Sequence, residues 1–458
     1  MGSGHVMRCL TLAQALRERG AQAAFVSLPQ PGDLRDEILR QGFPLLAGLE
    51  QADWLVVDHY GLDAAWESDA RGKAARILAI DDLANRRHDC DVLLDQNFFP
   101  DAETRYGDLA PSCCRRLLGP RYALLRPEFS ELRKRARRDG AVRRILVSFG
   151  GVDAANETAK AIAAIRALAW PGLEVDVVIG AASPHADEIA CLCALPPPFR
   201  LHRQAQNMAE LMAAADLALG AGGSTTWERC CLGLPALQVA IAPNQEAPSQ
   251  ALAEVGLVTY LGRGSSLTAE RLREALAAAA ADPSSLRRRS SAMRALVDGE
   301  GRRRVAAAML AGRQSALKMR SAQAADADLY FEWANDPEVR RQSLESRPIG
   351  RAGHERWFAA RLSDAALFVA EDEAGLPVGQ VRFERDDARW RINYSVGAEF
   401  RGAGLAAKML GLAIEALRRR HPQAQLKAEV KTGNLPSRKV FLALGFREVS
   451  DVMFELDR

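Results

Sequence analysis

The strongest constraint on this chain's fold is a series of short, continuous apolar runs, each closed by a polar turn and followed by a helical pattern. In the first third they are Ala24-Phe25-Val26, Trp54-Leu55-Val56-Val57-Asp58, Ile77-Leu78-Ala79-Ile80-Asp81 and Val92-Leu93-Leu94-Asp95. Runs without apolar/polar alternation read as strands covered on both faces, and therefore as a parallel sheet wrapped by helices. Several end in Asp, at the carboxyl edge where open α/β sheets hold ligands. After a basic, helix-prone stretch over residues 132–144, the pattern resumes with Ile145-Leu146-Val147-Ser148, Val175-Asp176-Val177-Val178-Ile179, Leu217-Ala218-Leu219 and Ala236-Leu237-Gln238-Val239. Two successive doubly wound units predict two sheets facing across a cleft.

An Ala/Arg-rich helical stretch over residues 272–313, broken at Asp282-Pro283, ends this pattern. A new unit opens at Leu317-Lys318-Met319-Arg320, with strands expected at Leu367-Phe368-Val369-Ala370, 378–383, 391–396 and 426–430. A helix over 406–419 between the last two makes it a mixed α/β domain. For 458 residues two or three compact units are the natural count; the expected boundaries are 1–135, 136–312 and 317–458.

Composition narrows the function. Lys plus Arg number 61 against 58 Asp plus Glu, a net charge of +3 that calls for neither nucleic acid nor an anionic membrane as partner. The eight cysteines form no C-x-x-C pair, and the adjacent ones are poor disulfide partners, so reduced thiols, no metal and a cytoplasmic location are expected. No apolar run reaches bilayer length, and the N-terminus reads Gly-Ser-Gly-His in place of a signal peptide, so no membrane insertion is expected.

Gly2-Ser3-Gly4-His5-Val6-Met7-Arg8 reads as a glycine-rich turn leading into a helix over residues 9–19. Its glycines allow close backbone approach and its helix amides suit an anion, while an imidazole there can handle a proton beside a leaving diphosphate. The plainer reading is a flexible start with His5 capping the helix. Asp58-His59-Tyr60-Gly61-Leu62-Asp63 lies at a strand's carboxyl end, with Tyr60 expected to face the cleft and Asp63 to cap the next helix. Asp81-Asp82 closes the following strand, its role open.

In the second unit, Ser148-Phe149-Gly150-Gly151 ends the first strand with room for a phosphate. The loop Gly220-Ala221-Gly222-Gly223-Ser224-Thr225-Thr226-Trp227-Glu228 runs from a strand into a helix. Its amides and hydroxyls suit a diphosphate, and Glu228, one turn on, suits a ribose diol. A capping box between Thr225 and Glu228 fits the same spacing. Pro243-Asn244-Gln245-Glu246 follows the next strand and reads either as a cleft loop or as a helix N-cap.

Taken as an ordered set, the segments 2–9, 58–63, 222–228 and Asn244-Gln245 resemble the UDP-2,4-diacetamido-2,4,6-trideoxy-β-L-altropyranose hydrolases of pseudaminic acid biosynthesis, over about residues 1–310. That family has the GT-B fold and is similar to the glycosyltransferase that makes lipid II. The resemblance implies UDP in the second unit, at Gly222, Gly223, Ser224, Thr225 and Glu228. It makes His5 the principal catalytic residue, helping water attack the anomeric carbon with inversion, with Tyr60 and Asn244 positioning water or sugar and no metal required. In the family a strand precedes the Gly-x-Gly-His turn, whereas this sequence begins at the turn; the first sheet is therefore expected to lack a central member.

In the third unit, Arg401-Gly402-Ala403-Gly404-Leu405-Ala406 joins a strand to a long amphipathic helix, a geometry that suits a pyrophosphate. With Asn434-Leu435-Pro436-Ser437, Val440-Phe441, Leu444-Gly445-Phe446 and Trp333-Ala334-Asn335-Asp336, it resembles the GNAT acetyltransferases over residues 317–458. The resemblance implies acetyl-CoA as co-substrate, bound by residues 401–406 and bordered by Asn434 and Ser437, with direct attack by an amine. Many members carry Tyr where Phe441 stands, and that Tyr protonates the leaving thiolate; Phe441 has no proton to give. Tyr394 and Glu429 lie on strands suited to proton transfer or to packing.

The expected fold class is thus α/β: two Rossmann-like units in a GT-B arrangement, then a mixed α/β GNAT domain. The expected function is a bifunctional enzyme acting on a UDP-sugar, acetylating the 4-amino precursor and then releasing UDP; the pairing rests on pathway logic. A GT-B glycosyltransferase, a nucleotide-sugar-binding protein with a degenerate hydrolase, and a GNAT domain of other acceptor specificity stay open.

Overall fold

The computed structural model describes residues 3–29, 33–312, 314–362 and 366–457. Gly2 of the first glycine motif and Arg313, the last residue of the Ala/Arg-rich stretch, lie outside them. The chain divides into two compact units, Met1–Met309 and Leu310–Arg458.

The first unit contains two parallel sheets. One has four strands in the order β1 (Ala52–Val57), β2 (Ala74–Ile80), β3 (Val92–Asp95) and β4 (Arg115–Leu118). The other comprises β5 (Arg144–Ser148), β6 (Glu174–Ile179), β7 (Arg200–Arg203), β8 (Leu217–Ala221), β9 (Ala236–Ala240) and β10 (Thr259–Arg263). Its order, β10-β9-β8-β5-β6-β7, is the doubly wound 3-2-1-4-5-6 arrangement read from the other edge. The switch point lies between β5 and β8, so the β8 loop opens where such folds bind nucleotides. Ile145, Val147, Val177, Leu219 and Val239 are each at most 2% exposed, as expected of strands covered on both faces.

Three local expectations need correction. The segment Ala24-Phe25-Val26 forms no strand, only an isolated parallel bridge, Phe25↔Leu45. Phe25 packs edge-on against Phe43, but Val26 is 48% and Leu28 76% exposed, so the run is not covered on both faces. The first helix spans Ser3–Arg17, absorbing the predicted glycine-rich turn and placing His5 inside its first turns. The basic stretch over 132–144 is helical only to Arg133, the end of the Pro127–Arg133 helix.

The helix Gly301–Leu310 packs against the first sheet, not the second. Val305, Ala306, Ala308 and Met309 share a buried cluster with Leu12, Leu16, Leu78, Leu94 and Leu117. Arg115 fastens it by donating to the Ala308 carbonyl at 2.8 Å, and Arg302 pairs with Glu18 at 2.8 Å.

The second unit is built on a seven-stranded mixed sheet: β11 (Leu317–Ser321), β12 (Leu367–Asp372), β13 (Pro377–Asp386), β14 (Arg389–Val396), β15 (Leu426–Glu429), β17 (Met453–Leu456) and β16 (Arg447–Glu448), in that spatial order. β14 and β15 run parallel and pair at Trp390↔Leu426 and Arg391↔Lys427, and the following residues of β14 lie beyond this short ladder. The helix Ala406–Arg420 buries Met409, Leu410, Ala413, Ile414 and Leu417, an i, i+4, i+8 stripe with its arginines at the C-terminal end. No helix among the described residues is long and apolar enough to cross a membrane.

Candidate functional site

The first unit holds a cavity of about 350 Å³ whose walls come from both of its sheets. Gly4, His5, Arg8, Tyr60, Asp82, Gln96 and Asn97 line it from the first sheet's side; Gly223, Ser224, Thr226, Trp227, Gln238, Asn244 and Gln245 line it from the second. A Cβ on Gly4 would stand 3.7 Å from Ser224 Oγ, so the two glycine motifs face each other directly.

Asp58, just past the end of β1, organises the first wall. Its Oδ1 lies 2.6 Å from His5 Nδ1, and Arg8 donates through Nε to Oδ2 at 2.6 Å and through Nη2 to Oδ1 at 2.5 Å. Burial alone would raise the Asp58 carboxyl, but the hydrogen bonds from Arg8 and His5 outweigh it and hold the group below the usual carboxylate range. Arg8 Nη2 also approaches His5 Nδ1, at 3.1 Å. An ionised carboxylate can only accept, so the 2.6 Å contact puts the proton on Nδ1 and leaves Nε2 with the lone pair. Helical spacing explains the assembly: His5 and Arg8 are i, i+3 neighbours on one face of Ser3–Arg17, and both reach the same carboxylate.

Tyr60 packs edge-on against His5, with ring centroids 4.9 Å apart. Its hydroxyl donates to Asp82 Oδ2 at 3.3 Å, and Asn244 lines the same cavity. Burial and then the Asp82 charge push the phenol up to about 12. Asp63 caps the helix Ala64–Ala70, accepting from Ala65 N and Trp66 N, so the motif divides into a cleft-facing and a structural half as read from the sequence.

On the second wall, Gly223 has φ +89°, which L side chains rarely adopt. Gly222 is tightly enclosed: a Cβ there would stand 3.0 Å from Ser249 Oγ and 3.1 Å from Gln245 Cβ, so both neighbours would have to give way. The helix Thr225–Leu232 starts behind Ser224, whose side chain makes no capping bond, so the Thr225–Glu228 capping box is not formed and the Ser224 hydroxyl faces the cavity. A buried network fixes the loop from beneath. Arg229 Nη2 donates to the Ala221 carbonyl at 2.9 Å and to Gln238 Oε1 at 2.9 Å, and Gln238 Nε2 donates to Ser249 at 2.7 Å. Burial lowers Arg229 to about 10.

The cavity therefore gathers His5, Tyr60, Asn244, Gly223 and Ser224. Gly222 supports it from behind, while Thr225 and Glu228 follow along the helix and do not line it. Burial pushes the Glu228 carboxyl up to about 7 against the nearby charges of Arg126 and Arg229. Asn244 sits on the turn Pro243–Gln245, and the helix that follows has Gln245 at its cap position with no capping side chain, so the N-cap reading of this segment does not hold. Ser148-Phe149-Gly150-Gly151 stands outside the lining. Sequence reasoning passed over Asp58 and Arg8 as site residues although both lie inside quoted motifs. Two charged groups of opposite sign at carboxyl-edge and helix positions were the available signal.

In the second unit, Arg401, Gly402, Ala403 and Gly404 form the turn before Ala406–Arg420, with Leu405 at the N-cap. Gly402 and Gly404 both have φ +76°, alternating with ordinary residues as in an amide nest that receives an anion. Ala403 and Leu405 point inward, 7% and 2% exposed. Arg401 pairs with Asp336 at 2.7 Å, and Asp336 caps the helix Pro337–Gln342. Asn434 caps Leu435–Ala443 by accepting from Ser437 N at 3.2 Å, and Ser437 Oγ lies 2.9 Å from the Tyr394 hydroxyl. Phe441 is 2% exposed and packs against Tyr394, Phe446 and Phe454. Burial raises the Tyr394 phenol above its ordinary value. The residues of the first site all belong to unit 1–309 and those of the second to unit 310–458.

Comparison with known proteins agrees with this division. Residues 144–305 match the glycosyltransferase family 28 C-terminal domain, and residues 316–447 match the acetyltransferase (GNAT) domain. The chain is 26% identical over 285 residues to the spore coat polysaccharide biosynthesis protein SpsG of Bacillus subtilis, covering 59% of this chain and 83% of that protein. It is 26% identical over 268 residues to the UDP-2,4-diacetamido-2,4,6-trideoxy-beta-L-altropyranose hydrolase of Campylobacter jejuni, covering 56% of this chain and 93% of that protein. Among solved structures, Acinetobacter baumannii MurG matches with a TM-score of 0.46 and 16% identity, over 66% of this chain and 95% of its own. The polypeptide thus joins a region homologous to a UDP-sugar hydrolase to a GNAT acetyltransferase domain.

Proposed function

We propose that this chain is a bifunctional cytoplasmic enzyme of pseudaminic acid biosynthesis. Unit 1–309 hydrolyses UDP-2,4-diacetamido-2,4,6-trideoxy-β-L-altropyranose to UDP and free sugar; unit 310–458 N-acetylates the 4-amino group of the precursor UDP-amino sugar with acetyl-CoA. The observation that carries the hydrolase reading is His5, its Nδ1 held by Asp58 and its ring on the cavity wall opposite Ser224.

In that reading the diphosphate lies against Gly223 and Ser224 at the cavity wall, with Gly222 supporting the loop and Thr225 following along the helix, and Glu228 beyond it holds the ribose. Water attacks the anomeric carbon as its proton passes to His5 Nε2. The bond from that carbon to the diphosphate oxygen breaks, and UDP leaves with the electron pair. Asp58 stabilises the imidazolium that forms. Tyr60 and Asn244, both on the cavity wall, position the water or the sugar.

In the second unit acetyl-CoA supplies an activated acyl thioester. The nest at residues 401–406 receives its pyrophosphate, with Asn434 and Ser437 alongside. Phe441 offers no proton, and Tyr394, 2.9 Å from Ser437 Oγ, takes the proton-donor role on that wall.

The test is incubation of the UDP-4-amino sugar with acetyl-CoA, following CoA, UDP and free sugar by mass spectrometry, for the wild type and His5→Ala. Both products are expected from the wild type, and UDP release is expected to fall about 10²–10⁴-fold in His5→Ala with CoA release unchanged. UDP release only on addition of a hydroxyl acceptor would instead assign a glycosyltransferase, the reading that the family 28 match favours.

A further inference from the structure

Two aspartates close β2, and the structure separates their work. Asp81 is fully occupied: Arg86 donates to Oδ1 at 2.5 Å, and Ala84 N and the Tyr106 hydroxyl donate to Oδ2 at 2.8 and 3.1 Å. Asp82 is not. Its Oδ2 takes the Tyr60 hydroxyl and stands 3.7 Å from Arg8 Nη1, while its Oδ1 is buried and no donor among the described residues reaches it. A buried carboxylate oxygen without a donor is expensive to keep, so its persistence in a cavity wall marks a place where a ligand supplies the donor. The side chain is 13% exposed and lines the cavity, and rotation about its terminal torsion is soft, so an acceptor is readily turned toward the cavity.

Position determines what the donor belongs to. Asp82 lies on the first sheet's wall beside His5 and Tyr60, across from the Gly223-Ser224 wall that suits a diphosphate. A carboxylate repels a diphosphate and attracts an N–H or O–H. We propose that Asp82 is a specificity residue for the sugar, its carboxylate accepting a hydrogen bond from an N–H or O–H on the sugar ring of a UDP-sugar. This rests on the UDP-sugar reading above. Tyr60 donates to Asp82, so sugar engagement by Asp82 also orients the hydroxyl beside His5.

The experiment measures binding without turnover, in a His5→Ala background, by calorimetry. The quantity is the ratio of affinities for UDP-2,4-diacetamido-2,4,6-trideoxy-β-L-altropyranose and for UDP, with and without Asp82→Ala. Asp82→Ala is expected to shrink that ratio at least about tenfold, as for loss of one charge-assisted hydrogen bond, while affinity for UDP alone stays the same. Unchanged UDP affinity also shows that the variant is folded. Analogues with either amide N–H replaced by an ester oxygen, or with the 3-hydroxyl removed, locate the donor: the analogue that lacks it binds equally well with and without Asp82. A ratio that Asp82→Ala does not change, or one that never exceeds unity, overturns the proposal. Free-sugar release by the wild type is scored separately, so failure of hydrolysis and failure of sugar recognition are told apart.

Discussion

Replacing Asp58 with asparagine preserves its shape and removes its charge. The carboxylate is 4% exposed and holds Arg8, itself 8% exposed, through contacts of 2.5 and 2.6 Å, together with His5 at 2.6 Å. Breaking one side of a buried ion pair strands the other charge, at a cost of about 3–5 kcal/mol. For a unit this large that corresponds to a drop in melting temperature on the order of 10 °C. Scanning calorimetry checks it, using the transition that UDP shifts upward, since a ligand stabilises only the unit that binds it. Because Asp58 titrates below its unfolded value, its contribution is complete above the unfolded pKa of about 4 and is lost as pH falls through the lower folded value. The gap between wild type and Asp58→Asn should therefore be widest at neutral pH and close in acid. Arg8→Met added to Asp58→Asn should recover part of the loss by removing the stranded charge. A shift under about 2 °C, or one that does not narrow in acid, would refute the assignment of Asp58 as the clamp of this wall.

Three further outcomes are expected. Glu228→Gln should abolish discrimination between UDP and 2′-deoxy-UDP, read by calorimetry. It should also be more stable than wild type at pH 8 but not at pH 4, because a carboxyl raised to about 7 costs stability as pH rises from its unfolded value of about 4.3. Gly404→Val, forced to φ +76°, should destabilise the nest by about 1–2 kcal/mol and weaken CoA binding, with UDP binding unchanged in the same protein. Tyr394→Phe should lower kcat for acetyl transfer while leaving KM for acetyl-CoA near wild type; equal loss in both would make Tyr394 a packing residue.

The interior strands were legible because burial on both faces leaves an uninterrupted apolar run, as in Ile145-Leu146-Val147. In the first unit the unread strands are β4, Arg-Arg-Leu-Leu, β7, Arg-Leu-His-Arg, and β10, Thr-Tyr-Leu-Gly-Arg, all three of them sheet edges, whereas in the second unit β16 and β17 also went unread and β17 lies inside the sheet. Edge strands carry charge that discourages further pairing, and that charge hides them from a reading based on apolar runs. The residues that touch the cavity, His5, Tyr60, Ser224 and Asn244, could be found because turn and motif chemistry is local. Asp58's partnership with Arg8 spans 50 positions: the two opposite charges are visible in their motifs, but their pairing is set by tertiary structure. The start of the first helix was misplaced because Gly4 argues for a turn, whereas the anchoring of His5 and Arg8 to Asp58 is supplied by tertiary structure.

The placement of Gly301–Leu310 on the first sheet has a bearing on how the protein is made. About 170 residues separate Arg135 from Val305, so a ribosome elongating at its usual pace releases the first sheet roughly 10–30 s before the helix that completes its core. During that interval the face formed by Leu78, Ile80, Leu94 and Leu117 is a nascent apolar surface waiting for its cover. The second sheet, whose core is drawn from a continuous stretch, can close first and bring the missing helix home, so vectorial synthesis would finish the N-terminal half after the middle of the chain.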